Sequence, residues 1–235
     1  MFRIKICGVT TAADARLVAE SGADAIGLNF VAGSPRRLSS SAAHDVAAAV
    51  PPGVLRVGVF AGMPAAEILE IAERVGLDAI QLHGHLDAGS NAASDPPERC
   101  GELGSLMVIR AVRLDEPRSD GDPLASARRW IAAARAAGAG PAAVLVDAAA
   151  ARGTEAGRLG GTGALVDWQA LASAPSLGLP VVLAGGLTPA NVAEAIAVTG
   201  VLAVDTASGV ESAPGIKEPG RVRAFVAEAR RALGL

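Results

Sequence analysis

Short apolar runs rich in valine, isoleucine and leucine alternate along the chain with longer stretches of helical period. The runs are FRIKIC, AIGLNF, VLRVGVF, AIQLHG, LMVIRAV, AAVLVDA, PVVLAGG and VLAVDTASG. The spacing predicts helices near 11–21, 39–49, 64–74, 97–104, 124–138, 167–173, 188–198 and 217–233. Several open on a residue suited to a helix start, such as Thr188-Pro189 ahead of ANVAEAI. Nearly continuous apolar strands, each followed by a helix, predict a parallel sheet covered by helices.

One internal echo sharpens this. GADAIGLNF at 22–30 returns as GLDAIQLHG at 76–84, and more faintly as GVLAVDTASG at 200–209. Each copy opens on a glycine placed as a helix C-cap, with a strand starting within a few residues. Eight strand–helix units occupy roughly 200–250 residues in a closed barrel, and the chain has 235. The expected fold is therefore α/β, a single-domain (β/α)8 TIM barrel over residues 1–235. An open doubly wound sheet is the alternative, and it needs fewer units or a longer chain. Two stretches rich in Asp, Ser, Gly and Pro, near 85–102 and 114–123, read as surface insertions.

Composition removes several function classes. A net charge of −3 with no basic stripe argues against nucleic acid as a partner, and the absence of tyrosine argues against base stacking. No apolar run is long enough for a membrane span, and no basic-then-apolar leader opens the chain. Cys7 and Cys100 make neither a disulfide framework nor a CxxC site. The expectation is a soluble, cytoplasmic protein.

Candidate chemistry follows from strand parity. Residues two apart on a strand share a face. If Ile4 and Ile6 face the helices, then Arg3, Lys5 and Cys7 face the barrel interior, as do Gly27 and Asn29, Gln81 and His83, and Leu145 and Asp147. Polar groups thus collect at the C-terminal strand ends, where such barrels hold their reactive groups. Asp205 is expected to pair with Lys5 across the seam between the last strand and the first. Gly185 and Gly186 after the seventh strand, with Ser208 and Gly209 after the eighth, suit backbone N–H contacts to a phosphate. Parity alone leaves a purely structural cysteine open, a capping role for Asp147, and a solvated loop position for Arg36.

Read in order, KICGVT, GLNFVAGSPRRL, DAIQLHG, the LVDA to GGTGALVDW segment, VVLAGGLTPANV and VDTASGVE to PGIKEPGRVRAFV resemble the phosphoribosylanthranilate isomerase family of tryptophan biosynthesis. The resemblance runs from residue 3 to about 226, interrupted by the two insertions. It implies Cys7 as general base, Asp147 as general acid, and Arg36 on the anthranilate carboxylate. It also implies a ribose-phosphate site at Gly185, Gly186, Ser208 and Gly209. The implied partner is a small phosphosugar, no cofactor or metal is implied, and members are monomers or homodimers. Arg37 and Ala207 stand where members usually have an aromatic residue and a serine.

A base of this kind acts as thiolate, so the Cys7 thiol is expected to be depressed, with Lys5 as one candidate cation and a neighbouring helix N-terminus as another. Two other readings remain beside the isomerase. A sister phosphosugar barrel would be an epimerase, wanting metal-ligand histidines, or an indole-glycerol-phosphate synthase, wanting several mouth lysines. A barrel that only binds a phosphosugar would need neither Cys7 nor Asp147.

Overall fold

The computed structural model describes residues 1–84, 94–114, 121–147 and 166–235. Among these, eight parallel strands hydrogen-bond in sequence order and close on themselves: β1 (Ile4–Cys7), β2 (Ala25–Asn29), β3 (Leu55–Phe60), β4 (Ala79–Leu82), β5 (Met107–Arg113), β6 (Ala143–Asp147), β7 (Val181–Leu183) and β8 (Ala203–Thr206). The helices between them are α1 (Ala12–Glu20), α2 (Ser40–Ala48), α3 (Ala65–Val75), α4 (Arg99–Glu102), α5 (Ala125–Ala136), α6 (Trp168–Ser173), α7 (Val192–Thr199) and α8 (Pro219–Leu233). The expected barrel is the observed one. No helix of the described residues is long and apolar enough to cross a membrane.

Two hydrophobic layers hold it. The larger lies between strands and helices, with Ile4, Ile6, Ile26, Leu28, Ile80 and Leu82 facing outward from their strands. The smaller fills the barrel itself, where Ala25, Val57, Ala79, Ile109, Leu145 and Val182 meet. Phe2, almost fully buried, packs into this inner layer. Parity had given the inward place to Arg3. Pairing begins only at Ile4, so the chain before it is free of the alternation. There the aromatic ring goes inside, and the Arg3 Nε donates to the Leu202 carbonyl on the rim at 2.5 Å.

The repeated Gly-x-Asp-Ala-Ile also has a structural reason. Asp24 Oδ2 accepts the N–H groups of Arg3 and Ile4 at 3.0 and 2.8 Å, and Asp78 Oδ2 accepts that of Arg56 at 2.8 Å. Each aspartate precedes its own strand and caps the start of the neighbouring one, where the ladder has no carbonyl to offer. The faint third copy has Leu202 at this position.

Side-chain caps fix several helix starts, with Thr11 accepting from Asp14, Ser39 from Ala42, and Asp167 from Ala170. One start differs from expectation. α7 begins at Val192, because Asn191 Oδ1 accepts the Thr188 N–H while its amide donates to the Gly186 carbonyl, holding 186–191 as a turn.

The first insertion needs correction too. Its residues 85–93, and 115–120 of the second, lie outside the described residues. Asp95, however, is fully buried rather than on a surface loop. It accepts the Gly62 and Gly84 N–H groups and sits 3.4 Å from Arg110, itself fully buried on β5. Arg110 also donates to the carbonyls of Leu82 and Gly84 and lies over the Trp130 ring. Burial pulls its guanidinium down to about 10, against the opposing pull of Asp95.

Candidate active site

A pocket opens at the C-terminal end of the strands. Its walls include Cys7, Asn29, Arg36, Gln81, His83, Asp147, Gly185, Gly186, Asp205 and Ser208. Of the residues expected to act in catalysis or substrate binding, Gly209 alone is not in this wall; it packs against the Leu187 carbonyl. Side-chain alternation from five different strands thus delivers the expected polar set to one place.

Cys7 ends β1, paired in register with Gly27 of β2. A Cβ at position 27 would fall 2.6 Å from Cys7 Sγ and 2.9 Å from Cys7 Cα. The glycine is therefore the space in which the thiol sits. Below it, Lys5 Nζ and Asp205 Oδ2 are 2.9 Å apart, the pairing expected across the seam. The thiol differs from expectation: burial pushes it above its ordinary value, and the nearby Lys5 and Lys217 ammonium groups only partly offset this. Desolvation of the thiolate outweighs attraction to cations, because Lys5 already shares its charge with Asp205.

Across the pocket, Asp147 ends β6, and its Oδ2 lies 3.5 Å from His83 Nε2. His83 Nδ1 is in turn 3.2 Å from the Gln81 amide nitrogen. Both Gln81 and His83 reach the pocket from β4 and the residue beyond it.

Arg36 lies in the loop after β2 and is buried. Its Nε and Nη2 donate to the two carboxylate oxygens of Glu211 at 2.8 and 2.6 Å. Glu211 opens the hairpin strand β9 (Glu211–Ala213), whose partner β10 (Ile216–Lys217) places Lys217 in register opposite it. Lys217 Nζ donates to Glu211 Oε1 at 2.8 Å, to the Cys7 carbonyl at 2.6 Å and to the Ala207 carbonyl at 3.2 Å. Sequence reading assigned no role to either Lys217 or Glu211. Their signal was present in VESAPGIK, where two apolar-flanked opposite charges bracket a Pro-Gly turn.

The glycine loops meet at the far wall. Gly185 and Gly186 both take positive φ, 81° and 65°, which turns the chain sharply after β7. Ser208 and Gly209 open a single 3-10 turn after β8. A Cβ on Gly209 would lie 1.8 Å from the Leu187 carbonyl oxygen, so only glycine lets the two loops touch. Among the described residues, the N–H groups of Gly186, Ser208 and Gly209 have no backbone acceptor. The Gly-Gly-Thr-Gly segment after Asp147, prominent in the sequence, lies within 148–165, outside the described residues.

Fold and site together place the chain among the (β/α)8 barrels whose polar pocket is built from the C-terminal ends of the strands. Within that class the chain belongs to the N-(5'-phosphoribosyl)anthranilate (PRA) isomerase family, whose model matches residues 4–101 and 128–228. It is 41% identical over 228 residues to the N-(5'-phosphoribosyl)anthranilate isomerase of Myxococcus xanthus (strain DK1622), covering 97% of this chain and 96% of the relative. Its fold superposes on the phosphoribosyl anthranilate isomerase of Thermotoga maritima with a TM-score of 0.78 at 33% identity, each chain covered completely (100%). A phosphoribosyl anthranilate isomerase solved with reduced 1-(o-carboxyphenylamino)-1-deoxyribulose 5-phosphate gives a TM-score of 0.76 at 32% identity, again over 100% of both chains.

Proposed function

We propose that this protein converts N-(5'-phosphoribosyl)anthranilate into 1-(2-carboxyphenylamino)-1-deoxyribulose 5-phosphate, an aldose–ketose isomerisation in tryptophan biosynthesis. Cys7 acts as general base and Asp147 as general acid. The observation that carries the reading is that a thiol from β1 and a carboxyl group from β6 face one pocket, with Arg36 at one wall and the glycine loops at another.

The chemistry uses each wall. Asp147 donates a proton to the ring oxygen as the C1′–O bond breaks, opening the furanose to a protonated Schiff base. The Cys7 thiolate then removes the proton on C2′, and those electrons form the C1′=C2′ double bond of an enolamine as the iminium is neutralised. Tautomerisation returns a proton to C1′ and leaves the ketone at C2′. Arg36 holds the ring carboxylate through a charge-assisted pair. The N–H groups of Gly186, Ser208 and Gly209, which have no backbone acceptor among the described residues, hold the phosphate, with Gly185 shaping the turn. Acid and base belong on opposite sides of one sugar, which strands on different sides of a barrel provide.

The test follows the loss of anthranilate-type fluorescence after freshly made phosphoribosylanthranilate meets the wild type, Cys7→Ala and Asp147→Asn. The wild type is expected to consume it rapidly and each variant to be slower by about 10²–10⁴-fold, the typical worth of one positioned acid or base. Turnover by a variant at the wild-type rate removes that residue from its role. No turnover by folded wild type overturns the activity.

A further inference from the structure

Arg36, Glu211, Lys217 and the Cys7 backbone form one buried, continuous chain of contacts, and its two middle members are not in the pocket wall. Glu211 meets the guanidinium side-on, taking Nε and the nearer side of Nη2. A guanidinium carries a second set of donors, on Nη1 and the outer side of Nη2, with the same two-pronged spacing. Among the described residues those donors have no ion-pair or hydrogen-bond partner, and Arg36 lines the pocket. An arginine on a loop, without Glu211, would lose rotamer freedom on meeting a ligand. With Glu211 it is held beforehand.

Charge points the same way. One carboxylate sits between two cations, Arg36 and Lys217, all three largely withdrawn from water. Desolvated charge calls for compensation, and the nearest space from which an anion can supply it is the pocket beside Arg36. Lys217 in turn fixes Glu211 from behind and grips the carbonyl of Cys7 and that of Ala207. The hairpin thus locks the loop after β2, the end of β1 and the loop after β8 into a single unit.

We infer that Glu211, backed by Lys217, is a positioning residue that presents Arg36 as a preformed fork selective for a planar carboxylate on the substrate's aromatic ring. The inference rests on the proposed placement of that carboxylate at Arg36, and it assigns the selectivity to a glutamate outside the reacting groups. Glu211 acts through Arg36 and makes no contact with the sugar or the phosphate.

Binding measurements separate this from a structural role without requiring turnover. Reduced 1-(o-carboxyphenylamino)-1-deoxyribulose 5-phosphate and the same compound lacking its ring carboxylate are titrated by calorimetry into wild type, Glu211→Gln, Arg36→Met and the double variant. The wild type is expected to prefer the carboxylated compound. E211Q is expected to lose about tenfold of that preference, the upper end of what ordering one free side chain costs, while binding the other compound as before. R36M is expected to lose the preference, and adding E211Q to it to change nothing further. Equal weakening of both compounds in E211Q would reduce Glu211 to a structural residue and overturn the inference. So would full additivity in the double variant. Preference retained by R36M would instead remove Arg36 from the carboxylate site, a failure of the functional reading itself. If E211Q does not fold, Glu211→Asp, which keeps the charge but withdraws it by one methylene, is held to the same outcomes.

Discussion

Lys5 Nζ lies 2.9 Å from Asp205 Oδ2, inside the barrel, where the last strand closes on the first and the two residues are register partners. Both are withdrawn from bulk solvent, Lys5 wholly and Asp205 nearly so. Attraction to Asp205 keeps the Lys5 ammonium charged although burial opposes it. Removing one member strands the other, so Lys5→Met is expected to cost about 3–5 kcal/mol of stability. Urea denaturation measures it. Replacing both residues, as Lys5→Met with Asp205→Leu, should restore most of the loss; a K5M variant as stable as wild type would show the pair to be idle.

The same cations bear on the pH dependence of turnover. Burial places the Cys7 thiol above its ordinary value of 9.0, with Lys5 and Lys217 pulling the other way. A base works in its deprotonated form, so kcat/KM should climb with pH from neutrality toward that value. Bell-shaped profiles of kcat/KM report the free enzyme, which makes this the parameter to follow. In Lys5→Arg, which keeps a cation but redistributes it, the rise should shift along the pH axis while the profile of Cys7→Ala stays flat. A plateau already reached at neutral pH would mean the thiol is depressed after all.

Gly27→Ala places a methyl group against both the Cys7 sulfur and its Cα. Backbone cannot yield as a flexible side-chain tip does, so overpacking should cost about 1–3 kcal/mol. The thiol is displaced as well, and kcat should fall further than the loss of folded protein explains. Steady-state kinetics normalised to the folded fraction checks it, and an unchanged kcat would contradict the packing argument.

Acid sensitivity has a source at the opposite end of the barrel. Burial alone would raise the Asp78 carboxyl, but hydrogen bonds from the Arg56 side chain and backbone prevail and hold it below its ordinary 3.8. A depressed carboxyl contributes its stability above the unfolded value and surrenders it as pH falls through the folded one. The melting temperature of Asp78→Asn should therefore depend less steeply on pH below about 4 than that of wild type. Activity at neutral pH should be untouched, since Asp78 lies at the strand starts and the pocket at the strand ends. Equal acid slopes in the two proteins would refute the assignment.

What the sequence disclosed and what it hid divide along a physical line. Strand alternation and helix period are local, so the eight units and the inward placing of Cys7, Asn29, Gln81, His83 and Asp147 could be read from spacing. Contacts between distant segments leave no such period. Glu211 reaches back 175 residues to Arg36, and nothing near either residue announces the other. Asp95 looked like part of a polar loop because its partner Arg110 lies on a strand that reads as apolar. The direction of the Cys7 shift was misread for a related reason. Sequence showed the cation beside the thiol but not the depth of burial, and burial decided the balance.

The grip of Lys217 on the Cys7 carbonyl joins positions 210 residues apart. A chain emerging from the ribosome makes its thiol long before the lysine that fastens the turn beyond it. Until the hairpin is synthesised and the eighth strand has closed on the first, both thiol and guanidinium exist but neither is set in place. Setting the site thus waits on the closing of the barrel rather than on the making of its reactive residues.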